Sequence, residues 1–338
     1  MSDSVLTGRE LVAGLRPASW HRPLLWLAAA MAVLAVVATV GSLVDTREVT
    51  GVPLWLKPLK FALSVGIYSV TLSWLIGQLQ GRRIRRAGWV AGYISVIGLI
   101  IEMVIIVGVA AVGDTSHFNV STPFHTALWA TMAASIVVVW IMSLAVSVVL
   151  FRASLGDRAR TLAIRAGAII AVVGMGLAFL MTGPTAAQLD DYQGIVGAHA
   201  VGVADGGPGL PLLGWSTVAG DLRIPHFVGM HALQVLPLIV IALEWLSIRS
   251  RQLRSPLVRL RLMRIAVVTF VATLVVVTAQ ALLGQSIVQP SGVILVAGLI
   301  VAAGTLAATL IVLVRADLQV EGSPRLDGVE SSAAGLGR

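Results

Sequence analysis

The stretch GRRIRRAGWVAGYISVIGLIIEMVIIVGVAAVGD, residues 81–114, decides how the rest of the chain is read. From Trp89 to Val112 it carries one charged residue, Glu102. A helix over these 24 residues is ~36 Å long at 1.5 Å per residue, enough to cross a ~30 Å hydrocarbon core. Lipid offers the backbone no hydrogen-bond partners, so a run this long and apolar must be helical. Four arginines precede it (Arg82, Arg83, Arg85 and Arg86) and an aspartate follows, which places its amino end on the cytoplasmic side.

Worked outward, the same reading predicts eight spans, at about 24–44, 58–79, 89–112, 124–151, 164–183, 224–246, 265–285 and 292–314. The composition agrees, with 57% hydrophobic residues, 12% charged and a mean hydropathy of +0.92. The expected fold is therefore an all-α polytopic membrane bundle of about eight helices with both termini cytoplasmic. Of the 24 basic residues, 20 fall on the inner side of that topology, and the exceptions are Arg47, Lys57, Lys60 and Arg223. A net charge of +8 distributed in this way is a topology signal and not a nucleic-acid footprint.

Residues 1–19 are expected to form a cytoplasmic segment without an apolar run, leaving the first span as the insertion signal. Residues 20–315 form the expected bundle, with 184–223 as an outer lid, and the small, polar stretch 316–338 is expected to be disordered. The chain contains no cysteine, which excludes disulfides, thiolate metal sites and covalently attached haem. Spans two and six each follow a polar outer segment and carry polar residues inward, an echo consistent with a parallel duplication of four helices. The arginine pattern suggests the cytoplasmic membrane of a bacterial cell.

Candidate chemistry gathers at the outer end, where five of the six histidines fall. In span two, Lys57, Lys60, Ser64, Tyr68 and Thr71 are spaced to share one helical face, which should turn toward a wet cavity. Its lysines suit an anionic group such as a lipid phosphate, a haem propionate or a carboxylate. Glu102 lies deep in span three, where ionisation is expensive, so it is a candidate acid, base or ion carrier. Thr122 and Pro123 mark a helix start that sets His125 in the first turn, with His117 in the loop above. The segment GDLRIPHFVGMHALQVLP opens span six with Asp221 as a candidate N-cap, followed by Arg223, His226, His231 and Gln234. Pro237 should kink the helix below them. Thr269, Thr273 and Gln280 of span seven lie near a common face and are expected to join the same interior.

Four functions fit these residues. The first is a non-covalent b-type haem, with an imidazole from His226 or His231 and another from His125 or His117, serving a membrane redox partner. The second is an enzyme acting on a lipid or lipid-linked substrate, with Glu102, Asp221 and His231 in acid–base roles, or with zinc on His226 and His231. A transporter with Glu102 in its path and a non-catalytic accessory subunit are the others. The two central histidines are five residues apart, unlike helical zinc pairs. In its eight spans and outward histidines the scaffold resembles the haem A synthases, but those pair histidines in both halves. Spans two and eight carry none here, so no residue role is transferred.

Overall fold

The computed structural model describes residues 19–49 and 51–321. Its architecture is a bundle of membrane-length helices: α1 Arg22–Val44, α2 Leu56–Gly77, α3 Arg82–Ala111, α4 Pro123–Leu150, α5 Arg158–Gly176, α9 Pro256–Leu282 and α10 Gly292–Glu321. A short 3₁₀ turn and helix α6 (Ala186–Asp190) extend α5 into the outer loops. One further span is broken into α7 (Arg223–Met230) and α8 (Ala232–Leu246), bent by 41°. Seven unbroken helices are long and apolar enough to cross a membrane, and the bent pair makes eight. The chain is membrane-embedded.

The helix ends follow their local chemistry. Thr122 caps α4 by accepting from the His125 amide, with Pro123 at the first helical position. Asp157 caps α5 and also receives Arg259, while Arg160 grips the buried Glu244 of α8 at 2.5 and 3.0 Å. These contacts tie the arginine-rich ends of α5, α8 and α9 together. The sequence reading named no role for Glu244, which only its distant partner Arg160 explains.

Three expectations need correction. The bend of the sixth span falls at His231, not at Pro237. Pro237 removes the amide that the Leu233 carbonyl would accept from, yet the helix from Ala232 to Leu246 runs through it without a break. Asp221 is not the N-cap of that span; Leu222 is, and Asp221 sits in the preceding β-pair. The stretch from Ala316 to Glu321 continues α10 as helix, with Ala316 buried and Asp317 accepting from Gln252. The remainder of the expected tail lies outside the described residues, as does most of the amino-terminal segment.

Helix pairing repeats between the halves. In the first, α1 packs on α2, α2 on α3, α3 on α4 and α1 on α3. In the second, α5 packs on the α7–α8 span, that span on α9, α9 on α10 and α5 on α9. A two-stranded antiparallel pair precedes the second helix of each half: Glu48–Val49 with Val52–Pro53, and Ala200–Val201 with Gly220–Asp221. This is the order a parallel duplication produces. The halves join where α4 meets α5, with Trp140 Nε1 donating to the Val172 carbonyl at 2.9 Å. On the opposite side α2 and the broken span stand apart, linked by Gln234 Nε2 donating to Thr71 Oγ1 at 3.2 Å.

Within the second half, α5 and α7 cross backbone to backbone. A Cβ added to Gly174 would fall 2.3 Å from the Gly229 carbonyl carbon, and one on Gly229 would fall 2.5 Å from Gly174 Cα. We therefore expect Gly174→Ala to destabilise the protein by about 1–3 kcal/mol or more. Gly304→Ala in α10 meets open space and should instead be neutral to stabilising by up to ~1 kcal/mol. Equal effects of the two in detergent unfolding would refute this crossing. The natural lack of cysteine also permits a direct topology test. Leu212→Cys should react with a membrane-impermeant maleimide in intact cells and Arg251→Cys only after lysis; the reverse pattern would invert the orientation.

Candidate functional site

Between the two halves lies a cavity of about 1890 Å³, roofed by the outer loops. It extends from the β-pair before α2 down to Tyr68, ~18 Å along that helix at 1.5 Å per residue. The polar face of α2 lines it with Lys57, Lys60, Ser64 and Tyr68, whose hydroxyl meets Ser143 Oγ at 2.6 Å. Toward the bilayer its walls are apolar. Leu63 and Ile67 of α2, each 47% exposed, and Phe227 and Val235 of the broken span, each 38% exposed, are among the apolar residues that line it.

Three ionisable side chains converge in the cavity. Glu102 is 2% exposed, lies ~14 Å below the outer end of α3, and has one oxygen 3.5 Å from His117 Nε2. Its other oxygen has no hydrogen-bond partner. Lys57 interacts electrostatically with Glu102, and no hydrogen bond to the described residues holds its Nζ. Phe61, Phe118 and Trp129 surround the His117 ring at 5.4 to 6.2 Å. Burial, together with the charges of Lys57 and His199, holds the His117 imidazole well below its ordinary range, so it is neutral at pH 7.

The other histidines divide by what their nitrogens meet. His226 Nδ1 bonds the Gly174 carbonyl at 2.9 Å, a contact that the Gly174–Gly229 crossing makes reachable, and its ring lines the cavity. His231 sits at the bend, with Nδ1 on Gln234 at 3.1 Å, its ring edge-on to Phe227 and its Nε2 buried without a partner. His199 and Asp205, which line the roof, pair at 2.7 Å. Burial pushes the Asp205 carboxyl up, but His199 and the amides of Ala200 and His199 outweigh it and hold it at about 2.

Several sequence candidates fall elsewhere. His125 is no cavity ligand, because its Nε2 bonds Asp114 at 2.8 Å and its Nδ1 meets Thr122 at 2.7 Å, which makes it a clip for the loop between α3 and α4. Asp221 is not placed as a catalytic acid: it is 1% exposed and holds Arg223 at 2.6 to 3.2 Å and the Ser216 amide at 2.8 Å. Thr269 pairs with Thr305 of α10 and Gln280 with the Ser286 carbonyl, so the polar face of α9 serves packing and loop contacts rather than the cavity. For zinc on His226 and His231 there is no ligand set: among the described residues, no three His, Asp or Glu gather at metal-binding distances.

The roof is a strap from Leu210 to Trp215, closed on itself by Gly214 N donating to Leu210 O and Leu210 N donating to Trp215 O, both at 2.8 Å. Lys60 Nζ donates to the Leu213 carbonyl at 3.2 Å, and Arg223 to the Gly214 carbonyl at 2.5 Å. Leu212 has a φ of 64°, a conformation uncommon outside glycine, so the strap is a constrained turn. Two of the cavity's cations thus tie the strap in place.

Compared with known proteins, the chain matches no family model, no curated protein and no solved structure. The chemistry of the site therefore carries the functional reading alone.

The neutral His117 gives a pH prediction. A histidine whose folded value lies below its unfolded one binds its proton more readily in the unfolded chain, so stability falls as pH drops through about 6.5. His117→Gln should flatten this acid-side slope in thermal unfolding between pH 8 and 5. An unchanged slope would remove His117 from the buried set.

Proposed function

We propose that this is a multi-pass protein of a bacterial cytoplasmic membrane. In this reading it takes an anionic amphiphile, a lipid or lipid-linked phosphate or carboxylate, sideways from the outer leaflet into the cavity between its halves. The observation that carries the reading is the cavity's two-part lining: Lys57, Lys60 and Arg223 at the polar end, and apolar side chains of α2 and the broken span, Leu63, Ile67, Phe227 and Val235 among them. Cations recognise the head, and the apolar wall accepts the chain. Glu102 and His117 lie beside Lys57, and this buried carboxyl and neutral imidazole, 3.5 Å apart, form a pair suited to relay a proton to or from the bound substrate. The activity is acid–base chemistry on that head group.

A saturable thermal shift with a long-chain alkyl phosphate, set against the uncharged alcohol of equal chain length, tests the binding step. The phosphate should bind and the alcohol should not, and Lys57→Gln should weaken phosphate binding by about tenfold or more. Equal binding of the two probes, or an unaffected Lys57→Gln, would exclude the reading. Glu102→Gln should retain binding and lower any turnover by about 10²–10⁴-fold.

One observation favours the haem reading as second choice. His226 is oriented by a backbone carbonyl through Nδ1, as axial imidazoles are, and lines a cavity with cations able to meet propionates. An absorption spectrum of the purified protein, expressed with ample haem, separates the two: a Soret band lost in His226→Ala supports haem, and its absence from wild type excludes it.

A further inference from the structure

At the opposite, arginine-rich end, a separate pocket of about 440 Å³ opens between the first turns of α1 and α3. Arg22 and Arg85 line it, together with Trp20 and Trp89. Neither arginine forms an ion pair among the described residues. The indole N–H groups of Trp20 and Trp89 are both buried without a hydrogen-bond partner. Two unpaired guanidiniums at one pocket present a set of donors that suits an acceptor-rich anion.

The pocket is built, not incidental. His21, fully buried, caps α1 and holds the wall through Nε2 to the Trp89 carbonyl at 3.1 Å, and its ring packs 4.6 Å from Trp89 and 4.9 Å from Tyr93. Gly92 makes room for that ring, since a Cβ there would fall 2.8 Å from His21 Nε2. Further into the membrane, the pocket is flanked by Trp26, 75% exposed, and Tyr93, 49% exposed. The order is thus cations at the water side and exposed aromatic faces one to two turns deeper. It matches the phosphate and the glycerol–acyl region of a phospholipid.

We infer that this pocket binds the phosphate head of an anionic phospholipid of the inner leaflet. The two arginines hold the phosphate, while Trp26 and Tyr93 border the acyl chains. Arg22 and Arg85 stand on α1 and α3, so a bound lipid bridges the two helices that frame α2 from the inner side. The site is independent of the outer cavity and of its function.

Native mass spectrometry and thermal unfolding with phosphatidylglycerol, phosphatidylcholine and inorganic phosphate test it. Wild type should retain and be stabilised by phosphatidylglycerol over phosphatidylcholine. The double variant Arg22→Gln, Arg85→Gln should lose that preference, with affinity at least about tenfold weaker. The outer cavity is the same in both proteins, so the difference reports the inner pocket. The single variant Arg85→Gln should give a smaller loss and serves as the reading if the double variant fails to fold. Equal retention of the two lipids by wild type, or an unchanged preference in the arginine variants, overturns the inference. Competition by inorganic phosphate as effective as by the lipid overturns the assignment to lipid and leaves a free-phosphate site.

Discussion

An unpaired backbone amide or carbonyl in hydrocarbon costs several kcal/mol, and that constraint shapes every part of this chain. It makes each apolar run a helix and confines the two β-pairs, the strap and the 3₁₀ turn to the ends of the bundle. The break within the sixth span, at His231, lies against the cavity. There Gln234 returns its amide to the His231 carbonyl at 3.0 Å, and Val235 does the same at 2.9 Å, so the bend leaves that carbonyl satisfied. Gly167 on α5 has no side chain to obstruct the bent segment, since a Cβ would lie 2.8 Å from the Ala232 carbonyl.

Glycine crossings then decide which polar groups meet. Gly174 against Gly229 brings α5 close enough to α7 for the Gly174 carbonyl to orient His226. Gly98 against the Ser135 carbonyl, at 3.0 Å from a built Cβ, does the same for α3 and α4 and places Glu102 beside Ser135. Without a hydrophobic driving force between helices in lipid, close van der Waals contact of this kind supplies much of the association. The apolar surfaces of α9 and α10 need no such partner, because the bilayer covers them.

The fold was legible in the sequence because hydrocarbon reads composition and period locally. Spans appear as uninterrupted apolar runs, and the Lys57-to-Tyr68 face appears as a helical stripe. The site was legible only as a set of residues at one end. That His125 clips its own loop, that Asp221 is consumed by Arg223, and that Glu244 is matched by Arg160 all depend on partners 2 to 84 positions away. Residue type and spacing do not encode those pairings. The bend at His231 escaped for a related reason: proline marks where a donor is missing, while neighbouring packing decides where the helix yields. The continuation of α10 past Ala316 depends on Asp317 meeting Gln252 across the arginine-rich face, which composition alone reads as tail.

The roof strap rests on two of the cations that would recognise an anion. Lys60 and Arg223 hold it through neutral carbonyls of Leu213 and Gly214. Hydrogen bonds between a cation and an anionic oxygen are roughly twice as strong as those to neutral acceptors, so a phosphate or carboxylate head in the cavity competes favourably for both donors. Arg223 also holds Asp221 through a bidentate contact, so its guanidinium is positioned before any ligand arrives. On the proposed reading, the same cations that recognise the head are thus oriented by the strap above it and by Asp221 beside it.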